Sequence, residues 1–141
     1  MDEYRRLFEL SKNIPAWKFL GVQVLKLDKG FAELELPFRS DLINSMGVIQ
    51  GGFITAIADA AGGWAILTFL DSEVLITTIE LKINFLKPAR DDIIARGRAL
   101  HVGSAIGTSQ VDVMLKNGEL IAAGIATYYQ KRGRRGARRK Q

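Results

Sequence analysis

Apolar and polar positions divide the chain into two strand-like regions around one long apolar run. In "FAELELPF", Phe31, Leu34 and Leu36 are interleaved with Glu33 and Glu35, which predicts a half-buried strand ending at Pro37. Residues 22–28, "VQVLKLD", read as its hairpin partner across the turn Asp28-Lys29-Gly30, though the alternation there is imperfect. The run from Phe53 to Leu70 is too long for a buried strand and rich in Ala, Ile and Leu. It predicts a buried helix of about four to five turns. From Val74 the period returns to two: Ile79, Leu81, Ile83 and Phe85 alternate with Glu80, Lys82 and Asn84, and Pro88 closes the run. "DDIIARGRALHVG" alternates again, and "SQVDVMLK" and "ELIAAGIATYYQ" flank Asn117-Gly118, a strong short hairpin signal. Ahead of all this, residues 2–12 predict a short amphipathic helix that Pro15 and Gly21 break. Trp17 and Phe19 in that break need a surface to pack on.

The order is thus helix, strand pair, long helix, then three or four antiparallel strands. A helix that is apolar nearly all round must be wrapped. A single sheet of about five long strands, curved around it, would do so and defines an α+β fold. Gly62-Gly63 inside the helix costs about 1 kcal/mol per glycine relative to alanine, so close packing is expected there.

Composition narrows the class. A chain of 141 residues fits one domain with a real core. It has no cysteine, which excludes disulfides, thiolate metal sites and Cys nucleophiles and permits a reducing compartment. The formal charge of +5 is local: seven of the 20 basic residues lie in residues 131–141, "KRGRRGARRKQ", and the rest of the chain is slightly acidic. Residues 1–130 are therefore expected to form the domain, and 131–141 a solvated, disordered tail. The same tail is the one feature that could bind nucleic acid electrostatically. "MDEYRRLFEL" lacks the apolar core of a secretory signal. Gly51 to Leu70 has the length of a membrane span, but Asp59 at its centre would be costly in lipid. The expectation is a cytoplasmic protein with no membrane partner.

Candidate chemistry centres on Asp59, the single acid in the apolar run. On a helix it shares a face with Thr55, Ala56, Gly62 and Gly63. Either that face admits another helix, with Asp59 satisfied by a neighbour, or it makes room for a narrow substrate that Asp59 touches. An unpaired buried carboxylate is expensive, so it needs a hydrogen-bond network or a use. Gly51 and Gly52 stand where the loop enters the helix, where amide N–H groups are free and the dipole is positive. Such an end can stabilise a carbonyl oxygen becoming an anion. Asp59 lies about 10 Å along the axis from Gly52. If both act on one carbonyl, a two-fold dimer must bring Gly51 of one chain beside Asp59 of the other.

Asn44, Gly47, Gly51-Gly52 and Asp59, with the apolar helix and then "TTIELKINFLKPA", resemble the hotdog-fold acyl-CoA thioesterases, in particular the phenylacetate-degradation (PaaI-type) branch. The resemblance spans roughly residues 15 to 130 and implies a long central helix wrapped by a curved antiparallel sheet of five to six strands. It implies hydrolysis of an acyl-CoA to free acid and CoA. Asp59 would be nucleophile or general base, and Gly51 would offer its N–H to the thioester oxygen. Asn44 would hold the loop or the attacking water, and Thr78 would support the carboxylate or the water. Gln50, Gly52 and Thr77 would line the substrate. Asn44 and Gly51 would come from one subunit, Asp59 and Thr78 from its mate, and such dimers would pair into a homotetramer. No metal or cofactor is implied beyond the CoA of the substrate. The sequence departs from the family at Gln50, where a His is usual: Gln can hydrogen-bond a carbonyl but carries no proton at neutral pH.

Other schemes fit less well. His101, the only histidine, stands on an alternating strand with no nucleophile motif beside it. Hotdog dehydratases need a His that the motif lacks. Lys82, Lys87, Arg90, Arg96 and Arg98 are candidates for CoA phosphates or for ordinary solvation. Trp64 and Phe53 either line a pocket or fill the core. The alternatives are a hotdog that binds acyl-CoA without turnover and a nucleic-acid binder through the tail.

Overall fold

The computed structural model describes residues 2–132. After a 3-10 turn over Asp2–Tyr4 come α1 (Arg5–Ser11) and α2 (Pro15–Leu20). The hairpin β1 (Gln23–Asp28) and β2 (Phe31–Leu36) leads through a loop to α3 (Gly51–Leu67). Four long strands follow: β3 (Val74–Phe85), β4 (Ile93–Val102), β5 (Ile106–Leu115) and β6 (Leu120–Arg132). They form one six-stranded sheet in the order β1-β2-β4-β5-β6-β3, and every neighbouring pair is antiparallel. This is the α+β hotdog architecture that the sequence pattern and the resemblance anticipate.

The first helix ends at Ser11, as expected, and Pro15 and Gly21 bound a second one that the sequence reading did not include. Pro15 occupies the first turn of α2, and Gly21 caps its end in the left-handed region (φ 80°), donating to the Trp17 carbonyl at 2.8 Å. The central helix starts two residues earlier than Phe53. Gln50 is extended (φ −63°, ψ 137°), so Gly51 is its first helical residue. It ends at Thr68, whose hydroxyl donates to the Ala65 carbonyl at 2.6 Å and accepts the Gly30 N–H at 2.8 Å. That one side chain ties the end of α3 to the β1–β2 turn. The last strand runs through Arg132, so it takes in the first two residues of the expected tail; residues 133–141 lie outside the described residues.

The core forms where α3 lies across the sheet. Ile54, Ile57, Ala58, Ala61 and Ala65 of α3 are buried with Leu34 and Leu36 of β2, Ile93 and Ala95 of β4, and Val111 and Val113 of β5. Gly97 on β4 permits the closest approach, because a Cβ there would run into the Ala61 carbonyl. Phe31 does not join Leu34 and Leu36: it faces outward, with the Arg98 guanidinium 5.3 Å from its ring centre and the Lys26 ammonium 5.8 Å away. No helix among the described residues is long and apolar enough to cross a membrane.

Strand β3 departs from strict alternation. A bulge between Thr78 and Glu80 leaves Ile79 unpaired. Beyond it Leu81, Ile83 and Phe85 face α3; before it Ile76 and Thr78 do. The sequence reading groups Ile79 with Leu81, Ile83 and Phe85; instead Ile79 is 57% exposed, because the extra residue reverses the facing of everything ahead of it.

Candidate active site

Asp59 sits midway along α3, half-buried. Its Oδ1 accepts a hydrogen bond from Thr78 Oγ1 of β3 at 2.7 Å. Its main-chain carbonyl accepts one from the Tyr128 hydroxyl of β6 at 2.8 Å. Thr78 and Tyr128 stand directly opposite each other in the β3–β6 ladder, so both reach the helix from one face of the sheet. Thr77 pairs with Tyr129 and points to the opposite face. The structure therefore places Thr78, and not Thr77, beside Asp59.

Gly62 and Gly63 are explained by Tyr128. A Cβ on Gly62 would collide with the Tyr128 hydroxyl, and one on Gly63 would sit 3.2 Å from its ring. The small-residue face thus admits a tyrosine from the sheet. Burial pushes the Tyr128 phenol pKa far up, and the negative charge of Asp59 pushes the same way, so the phenol stays a neutral donor.

Beside Asp59 and Thr78 lies a cavity of about 200 Å³ whose walls include Trp17, Ala56, Gly63, Trp64 and Ile76. Trp17 of α2 packs on Trp64 of α3, ring centres 4.7 Å apart and tilted by 46°. Trp64 is thus both core and wall. Phe53 packs against the core and lines neither this cavity nor the one at Gly51. Thr55 spends its hydroxyl on the Gly51 carbonyl at 2.8 Å.

The second cavity, about 480 Å³, opens at the start of α3 and includes Asn44, Gly51, Phe85, Lys87 and Arg90 in its walls. The Gln50 carbonyl accepts the Phe53 and Ile54 N–H groups, while those of Gly51 and Gly52 have no acceptor among the described residues. Asn44 organises the loop: its Oδ1 accepts the Met46 N–H at 2.9 Å and, more weakly, the Val48 N–H at 3.4 Å. Gly47 closes that turn at φ 76°. Gln50 and Gly52 are exposed beside the cavity mouth. The two cavities share no residue, and Gly51 and Asp59 are about 12 Å apart along the helix axis. One chain thus brings Asp59 and Thr78 together, brings Asn44 and Gly51 together, and keeps the two pairs apart.

The basic candidates sort cleanly. Lys87 pairs with Glu119 at 2.9 Å and Arg96 with Glu33 at 2.6 Å. Lys82 donates to Asn84 at 2.8 Å, and Arg98 lies over Phe31. Arg90 has no ion pair among the described residues and lines the Gly51 cavity. His101 pairs with Thr108 on the outward face of the sheet, away from both cavities.

A family profile described as the thioesterase superfamily matches residues 46–122. A Saccharolobus solfataricus protein, named only provisionally as an esterase, is 35% identical over 130 residues, covering 91% of this chain and 92% of its own. The chain belongs to the thioesterase superfamily. Its expected class, thioester hydrolase, follows from that membership. Solved structures share the fold of this superfamily member. A thioesterase family protein from Silicibacter pomeroyi has TM-score 0.86 at 24% identity, covering 93% of this chain and 99% of its own. The Escherichia coli PaaI protein of the phenylacetic acid degradation operon has TM-score 0.85 at 19% identity, covering 93% and 94%.

Sequence reasoning missed two members of the site. Trp17 carried a signal, a large aromatic in need of a surface. Tyr128 carried none: its relation to residue 59 depends on strand register across a long-range pair.

Proposed function

We propose that this thioesterase hydrolyses an acyl-CoA, with Asp59 of one protomer and the Gly51 N–H of its partner acting on the same carbonyl. The observation that carries this reading is the separation of the two half-sites within one chain, each with the groups one side of the reaction requires. The Gly51 N–H, free at a helix N-terminus, polarises the thioester oxygen and holds the oxyanion. Asp59, oriented by Thr78, either takes a proton from water whose oxygen adds to the carbonyl carbon or adds to that carbon itself, giving a mixed anhydride that water then cleaves. The C–S bond breaks and CoA leaves as its thiolate. A thiol pKa of roughly 8.5 makes it a good leaving group without an acid, which is the chemical reason Gln50 is acceptable where the family has His. Gln50 is then left to orient the carbonyl, beside Gly52. Arg90, with no ion pair among the described residues and at the wall of the Gly51 cavity, suits a CoA phosphate.

The dimer is supported by β3, a twelve-residue edge strand paired only to β6. Such an edge calls for a partner or a cover, and a second copy would supply one while delivering its own Asp59 and Thr78. Tyr129 (44% exposed), Ile125 and Ile106 give the outer sheet face an apolar surface on which two dimers would pair.

The test is hydrolysis of an acyl-CoA panel by wild type and Asp59→Asn. Loss of turnover by about 100-fold or more with fold and dimer retained is expected; equal rates would refute the role. Binding by wild type without turnover would favour the non-catalytic binder. In a single turnover in ¹⁸O-water, label in the Asp59 carboxylate would establish direct attack, because the general-base route places label only in the product acid.

A further inference from the structure

We infer that Tyr128 is a positioning residue for Asp59, forming with Thr78 a two-point clamp on that one residue. The inference rests on Asp59 being the reacting carboxylate. Thr78 holds the side chain through Oδ1 at 2.7 Å, and Tyr128 holds the main chain through the carbonyl at 2.8 Å. The two clamp residues are a directly opposed cross-strand pair, so their spacing is fixed by the β3–β6 ladder.

Three features of the chain accommodate the clamp. Gly62 lacks the Cβ that would collide with the tyrosine hydroxyl, and Gly63 lacks one that would press on Ile76 and on the tyrosine ring. The bulge at Ile79 lets Thr78 face the helix while Leu81, Ile83 and Phe85 still do. Burial keeps the phenol protonated, so the donor is constant across working pH. The Thr78 bond fixes one carboxylate oxygen, while the Tyr128 bond fixes the backbone from which that side chain projects. Misplacement of about 1 Å can cost 100-fold in rate. Two anchors on one residue define its position more narrowly than either does alone.

Tyr128→Phe removes one oxygen and keeps the ring. It is expected to lower kcat about 10- to 100-fold with KM within about 2-fold. The matched control is Ser109→Ala. Ser109 donates to the Gly62 carbonyl at 2.8 Å, an equally buried hydroxyl on the next carbonyls of the same helix, and touches neither half-site. It is expected to lower Tm alike and leave kcat unchanged. In the double variant Thr78→Val/Tyr128→Phe the loss should differ from the product of the single losses, because both act on one residue. Gly62→Ala, whose methyl displaces the hydroxyl and presses on Val111 while keeping the phenol, should reproduce the kcat loss should Tyr128→Phe fold poorly. Wild-type kcat in Tyr128→Phe overturns the clamp, as does an equal kcat loss in Ser109→Ala, which would mean that general seating of the helix is all that matters. Asp59→Asn separates the levels. If it is inactive while Tyr128→Phe is normal, only the clamp fails; if it is fully active, the clamp and the proposed function fail together.

Discussion

Asp59 meets no cation among the described residues; its carboxylate is held by a neutral hydroxyl, which keeps it available. A lysine or arginine partner would satisfy the charge and compete with substrate, whereas Thr78 supplies one donor and leaves the second oxygen unclaimed among the described residues. Thr78→Val keeps the shape and removes the donor, so kcat should fall about 10-fold with little change in KM, measured on the substrate that the panel selects. Thr78→Ser, which restores the donor, should recover most of that loss. Gly51 and Asp59 could be singled out in the sequence as candidates because a glycine pair and a lone acid in an apolar run are local signals, whereas Asn44 came only with the family resemblance. The choice between Thr77 and Thr78 was not. Strict alternation from Phe85 back through Ile79 puts Thr77 on the helix face, and only the bulge reverses it.

At the scale of elements, α3 and the sheet fit because small residues stand where they touch. Gly97 of β4 has the Ala61 carbonyl where its Cβ would be, a backbone contact that cannot rotate away. Gly97→Ala should therefore destabilise by about 3 kcal/mol, at the upper end of overpacking, read as a lowered denaturant midpoint. The sheet pattern made the strands legible, yet Gly97 reads only as one more position in an alternating run. At the far end of the same layer, Asp92 accepts the Phe38 N–H at 2.7 Å and pairs with Lys116 at 3.0 Å, joining the ends of β2, β4 and β5. The Phe38 hydrogen bond first, then Lys116, holds its pKa below the usual carboxylate value. A folded-state pKa below the unfolded one gives stability that is present above about pH 4 and lost as pH falls through the folded value. Asp92→Asn should thus lower Tm at neutral pH, and the gap to wild type should narrow below about pH 4. A gap that stays constant with pH would assign the effect to packing.

At the scale of the molecule, α3 carries the Gly51 cavity at its start and Asp59 midway along it, and the proposed function makes these two halves of one shared site. No bend in α3 can bring Gly51 to Asp59 across about 12 Å of continuous helix. A shared site makes a prediction that a self-contained one does not. Gly51→Pro removes the amide donor at the first helical position, where proline is well tolerated and where the extended Gln50 already suits a following proline. This variant and Asp59→Asn should each be inactive as homodimers. Refolded together in equal amounts, half of the dimers are mixed. In each of those, one site receives Gly51 from the Asp59→Asn chain and Asp59 from the Gly51→Pro chain, so it is intact, and the other receives both defects. About one quarter of wild-type activity should return, with full affinity for substrate. Recovery near that level, dependent on co-refolding and absent when preformed homodimers are simply mixed, is the result a site built from two chains requires. No recovery, with mixed dimers demonstrated by size and mass, would mean that each chain uses its own Asp59 and Gly51 separately, and the proposed division of labour across the two-fold axis would be wrong.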